Sequence, residues 1–137
     1  MMSSIPRLLL AVVAILALVV VGCSGGGPDL GKVTGNVTLD GKPLQGAIVQ
    51  FEPKGGRPSS GTTDSEGNYE LNYTFQEKGA LLGKHTVRIY PQTEDEEGNQ
   101  LPPDAIVKIP ATYNEQSELT AEVEPGSNTC DFELHSK

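Results

Sequence analysis

Turn signals divide this chain into short pieces, and their spacing constrains the fold more than any other feature. "DGKPLQG", "KGGRPSSG", "DSEGN", "QEKGALLGK" and "EPGSN" interrupt the sequence between Val33 and Leu134. The Asp40-Gly41 pair, flanked by apolar runs, is a hairpin signature. Between the breaks, side chains alternate with the period of two that belongs to strands. One face carries Val33, Gly35, Val37 and Leu39, and the next piece Ala47, Val49 and Phe51. Tyr69, Leu71 and Tyr73 follow, then His85, Val87 and Ile89, then Leu119, Ala121 and Val123, and last Cys130, Phe132 and Leu134. After residue 22 no apolar pattern keeps a helical period over about 11 residues. Short strands at this spacing predict an all-β, antiparallel sandwich of about seven strands. Two stretches read as loops: Lys54–Gly61, by its Gly, Pro and Ser content, and Gln92–Lys108, which is acidic, carries a double proline and is expected to be mobile and solvated.

The N-terminus has a different character. Leu8–Val21 is an unbroken apolar run behind a single positive charge at Arg7. A spanning helix needs about 20 such residues, whereas a charged start, a short apolar stretch and small residues at its end describe a secretory signal. A short membrane anchor is the alternative. The end of the run, "VVGC" (Val20–Cys23), resembles the lipobox of bacterial lipoproteins. That resemblance implies cleavage between Gly22 and Cys23, a diacylglycerol on the Cys23 thiol, and further acylation with a palmitate-type chain. Two or more chains hold a protein on a membrane where one does so only marginally. The expected organisation is a signal peptide over 1–22, a flexible Gly-rich tether over 23–31 and one domain over 32–137. In some bacteria an Asp after the lipidated cysteine retains lipoproteins at the inner membrane; Ser24 favours the outer membrane of the cell envelope instead.

The processed chain, Cys23–Lys137, is long enough for one modest core. Loss of Arg7 takes the net charge from −8 to −9. An acidic surface repels phosphate backbones, so no nucleic-acid partner is expected. It also repels anionic lipid, which leaves membrane attachment to the anchor. With Cys23 lipidated, Cys130 is the one remaining thiol. The alternation of "NTCDFEL" puts it on an apolar strand face, as a small buried residue.

"VTGNVTLDGKPLQGAIVQFEP" and "GTTDSEGNYEL" resemble the opening of a carboxypeptidase regulatory-like domain, a transthyretin-like (prealbumin-like) seven-stranded Greek-key β-sandwich. The positions that carry the likeness are Gly35, Val37, Gly41–Leu44, Gly46, Ala47, Val49, Phe51, Thr63, Asp64, Gly67, Tyr69, Leu71, Gly83, His85, Val87 and Ile89. It extends over about Lys32–Leu134, and the C-terminal part is similar to the end of many small bacterial lipoproteins built on this domain. It speaks to fold; a fold hosts many functions.

Few residues invite chemistry. His85 and His135 are the two histidines, and neither has a Cys or His at zinc-ligand spacing. No G-x-S-x-G elbow surrounds Ser59 or Ser60. His135 lies on the opposite strand parity from Cys130, so no local Cys–His pair is expected. "GGRPSSG" lacks the lysine and spacing of a phosphate loop. "DSEGN", with Asp64, Glu66 and Asn68, and "EDEEGN", Glu94–Asn99, offer calcium's oxygen ligands without the spacing of a calcium loop. No cofactor other than the covalent lipid is expected. Tyr90, Tyr113 and Phe75 are the candidates for an exposed aromatic surface. The expected function is a non-enzymatic, lipid-anchored structural or binding module. The alternatives are a glycan- or peptide-binding module using the acidic loop and exposed tyrosines, and an accessory subunit of an envelope complex.

Overall fold

Asp40 and Gly41 both take positive φ, 53° and 82°. This lets a two-residue turn match the right-handed twist of its flanking strands. It joins β1 (Leu30–Leu39) to β2 (Lys42–Pro43), with Leu39 opposite Lys42. The computed structural model describes residues 28–137, and β1 is its central strand. Further along are β3 (Ala47–Pro53), β4 (Ser59–Thr62), β5 (Asn68–Glu70), β6 (Ala80–Leu81), β7 (Gly83–Pro91), β8 (Thr120–Val123), β9 (Ser127–Thr129) and β10 (Phe132–Leu134). Two single 3-10 turns, Pro103–Ala105 and Ala111–Tyr113, are the helical segments of the described residues.

The strands form two sheets. One is antiparallel, in the order β4-β3-β7-β8. In the other, β1 pairs antiparallel with β6, β5 and β2 in turn, and along its other edge parallel with β9 and β10. The parallel pairing follows from the chain's path. β8 descends the four-stranded sheet to Val123, opposite Gly83, and the Glu124–Gly126 turn carries the chain across to start β9 beside Lys32. From there the chain rises in the direction of β1.

The core between the sheets uses the alternating faces read from the sequence. Val33, Val37, Ala47, Val49, Phe51, Tyr69, Leu71, Val87, Ile89, Val123 and Leu134 are buried, joined by Leu44 and Ala80. Leu39, Leu119, Ala121, Cys130 and Phe132 pack against this cluster half-buried.

Three local expectations need correction. Ser59–Gly61, read as loop, lies in β4, because Phe51, Gln50 and Val49 of β3 supply backbone partners that override the turn composition. The last strand is broken at Cys130–Asp131. There the Asp131 carboxylate takes the Asn36 N–H at 2.8 Å, where a strand carbonyl would ordinarily sit. The acidic loop is not solvated throughout, since Val107 near its end packs half-buried on the core.

Candidate functional site

The oxygen-rich turns show how local sequence consumes its own polar groups. In Asp64–Asn68 the Asp64 Oδ1 accepts the N–H groups of Glu66 and Asn68, both at 2.9 Å. Gly67, at φ 81°, donates to the Asp64 carbonyl at 3.0 Å. Asp95–Asn99 repeats this geometry: Asp95 Oδ1 accepts from Glu97 and Asn99 at 2.9 and 2.8 Å, and Gly98, at φ 86°, donates to the Asp95 carbonyl. The shared pattern Asp-x-Glu-Gly-Asn is an Asx turn closed by a left-handed glycine. The N–H of Asn99 holds the Asp95 carboxyl below the usual Asp range. In the first turn, Asn68 Nδ2 also donates to Glu66 Oε2 at 3.4 Å. Asp64, Glu66 and Asn68 are therefore engaged with the turn itself. Among the described residues no group of three or more His, Cys, Asp or Glu side chains is placed to hold a metal ion.

The two turns differ in what they touch. The first is docked on β1: Gly67 O accepts from Val37 N at 2.8 Å, and Asn36 Nδ2 donates to Glu66 O and Asn68 Oδ1. The second bonds only within its own loop, apart from a Glu94–Gln100 bridge beside it.

Gly35 and Tyr69 enclose the Cys130 carbonyl. The Tyr69 hydroxyl donates to that oxygen at 2.5 Å, and Cys130 N donates to Thr34 O at 2.8 Å. Burial, with smaller contributions from Cys130 and Asp131, pushes the Tyr69 hydroxyl far above its ordinary pKa. The Cys130 thiol is half-buried rather than fully buried, and burial followed by the nearby Asp131 charge raises its pKa.

His85 is buried at 1% exposure, its Nε2 2.7 Å from the Leu81 carbonyl and its ring tilted against Phe51 at 5.5 Å. Its Nδ1 and the Ser59 Oγ are buried without a hydrogen-bond partner. His135 is exposed, and its backbone N–H donates to the Tyr113 hydroxyl at 2.9 Å. Tyr113 is thus committed to closing the C-terminus and packs on the core. Tyr90 is half-buried in β7, on the parity facing away from the core. The two tyrosines do not meet in one aromatic surface. Of the three aromatic candidates, Phe75 alone is fully exposed.

Phe75 belongs to a groove of about 440 Å³ along the edge strand β4, lined by Arg57, Ser60, Thr62, Asn72, Tyr73 and Thr74 among others. Arg57 Nε donates to the Tyr73 carbonyl at 2.9 Å, and the guanidinium lies 5.7 Å from the Tyr73 ring centre. Two aromatic rings, one cation and several hydroxyls thus line a single edge. Sequence reasoning placed Tyr73 in the core and overlooked Arg57. The available signal was "NYTFQEK", a Phe flanked by polar residues just after a strand. Gly22 and Cys23, the expected cleavage and lipid-attachment residues, lie outside the described residues.

No family model matches the sequence, and no curated protein matches it. Among solved structures, the chain is similar to a crystal structure of a DUF3823 family protein from Parabacteroides merdae ATCC 43184, with a TM-score of 0.41 and 15% identity. The alignment covers 79% of this chain and 47% of that one, so the chain spans about half the length of that protein.

Proposed function

We propose that the protein is a lipid-anchored, non-enzymatic lipoprotein of the bacterial cell envelope, a structural or binding module with a carboxypeptidase regulatory-like sandwich. One observation carries the reading of the domain: the residues of the family-like motif serve architecture. Gly41 makes the β1–β2 turn, Asp64 and Gly67 make a turn docked on β1, and Tyr69 bonds the Cys130 carbonyl across β1. Ala47, Val49, Phe51, Val87 and Ile89 fill the core. Counting β9 and β10 as one interrupted strand, and the two-residue β2 and β6 as extensions, leaves seven strands. This supports a seven-stranded Greek-key sandwich. The anchor reading rests on Leu8–Cys23. Cys23 is the lipid attachment site, Gly22–Cys23 the cleavage site and the outer membrane the favoured destination. The domain works without a resident metal or organic cofactor and without nucleic acid.

Intact-mass measurement of the full chain expressed in a bacterial host, beside Cys23→Ala, tests the anchor. The expected product begins at Cys23 and carries acyl mass that the variant lacks. An unprocessed chain, or a cut chain without lipid, overturns it.

A second reading, a glycan- or peptide-binding module, is favoured by the Arg57–Tyr73–Phe75 groove rather than by Tyr90 and Tyr113.

A further inference from the structure

We propose that the end of the sandwich where β1 begins rests on the lipid surface, with Phe75 and Leu82 touching the bilayer. This deepens the anchor reading and rests on it. Phe75 and Leu82 are the exposed large hydrophobic residues of the described chain, at 110% and 37% exposure. Both belong to the same end. Leu81, beside Leu82, pairs with Leu30, the first residue of β1. The hairpin carrying Phe75 leaves β5 where Leu71 N meets Val33 O and returns at Gly79, whose N–H meets Leu71 O just before β6. Lys54, Arg57 and Lys84 lie exposed at this end, with Glu122 and Glu124 beside them, so it carries no strong net charge.

The exposure of Phe75 is imposed by its turn. Tyr73 N and Thr74 N both donate to the Glu77 carbonyl, and Thr74 Oγ1 accepts from Gln76 and Glu77. These bonds hold residue 75 at the tip. A single exposed aromatic is ordinary on a protein surface; what gives Phe75 its meaning is its place on a hairpin tip at the end of the domain where β1 begins and the tether joins.

Chain geometry selects the occupant. Seven peptide steps separate Cys23 from Leu30 and span at most roughly 25 Å. The ten residues of β1 run for about 30 Å. A domain inverted on the membrane would lift Leu30 beyond the reach of a lipidated Cys23. The far end is also unsuited to lipid. The loop with Glu94, Asp95, Glu96, Glu97 and Asp104 starts there, where Gln92 N bonds Gly46 O. An anionic headgroup layer repels it. Anchor length, apolar side chains and charge therefore agree on one orientation.

The chain has no tryptophan, so single substitutions report depth without background. Full-length, acylated Phe75→Trp, Leu82→Trp and Glu97→Trp proteins are placed in phosphatidylcholine–phosphatidylglycerol vesicles with and without brominated acyl chains. Bromine is expected to quench most of the emission of the Phe75→Trp and Leu82→Trp proteins and none from Glu97→Trp. Unquenched emission at 75 and 82, in chains whose mass shows the acyl groups, overturns the docking while the anchor stands; the groove then falls to a glycan or peptide. Equal quenching at all three positions also overturns it, because the domain then has no preferred end. A chain without acyl mass removes the anchor reading and the docking with it.

Discussion

Gly35→Ala tests whether the β1-centred sheet depends on the close approach around Cys130. A Cβ at residue 35 would lie 1.8 Å from the Cys130 carbonyl oxygen, 2.7 Å from its carbon and 2.8 Å from Cε1 of Tyr69. The backbone of Cys130 must retreat by more than an ångström to admit it. That movement breaks the Tyr69 hydroxyl bond to Cys130 O and the Cys130 N–H bond to Thr34 O. Each is worth about 1 kcal/mol net, and strain at the β1–β9/β10 seam brings the loss to about 2–4 kcal/mol. At about 4 °C per kcal/mol for a domain of this size, the melting temperature should fall by about 8–16 °C. Thermal unfolding followed by circular dichroism reads it directly. Gly41→Ala is the control: its Cβ meets nothing within 4 Å, but φ is +82°. It should cost only about 1–2 kcal/mol through backbone strain. Tyr69→Phe in the Gly35→Ala background should cost less than in the wild type, because both changes remove the same bond. A Gly35→Ala protein that melts like wild type would refute the packing argument.

The two Asp-x-Glu-Gly-Asn turns separate context from motif: Asp64→Ala should cost about 1–2 kcal/mol in urea unfolding, whereas Asp95→Ala should leave global stability unchanged and only speed amide exchange over 94–100. Because its folded pKa lies below the ordinary value, Asp95 keeps its turn closed as pH falls past the usual Asp range and releases it only below that; amide shifts of Glu97 and Asn99 during an acid titration should show this. Ser59→Ala should stabilise the protein by about 0.5–1 kcal/mol, since it removes a buried hydroxyl with no partner; a lower urea midpoint contradicts that. The Cys130 thiol, raised above its ordinary 9.0, should react with iodoacetamide more slowly in the folded than in the unfolded chain at pH 8, the gap closing as the solution becomes more alkaline.

Much of the domain was legible because strand periodicity and turn chemistry are local. Val49, Phe51, Val87 and Ile89 alternate into the core because successive strand side chains face opposite ways. Asp40-Gly41 and Asp64–Asn68 fold as written because a positive φ and an Asx bond need nothing beyond five residues. The misread stretches depended on distant partners. Ser59–Gly61 looked like loop until β3 supplied a ladder. Tyr73, three residues past the end of β5 at Glu70, does not continue the alternation; it leaves the sheet with its hairpin and meets Arg57.

The sequence by itself determined an all-β chain, the buried face of each main strand and the positions of the tight turns. These follow from side-chain period and backbone torsion, which a few neighbouring residues decide. Only the tertiary structure decided that β9 and β10 run parallel to β1, that Asp131 replaces a strand carbonyl, and that Phe75 and Leu82 share one end while the acidic loop occupies the other. Those relations join residues up to about a hundred positions apart. They arise from the path of the chain between two sheets, which no local pattern encodes.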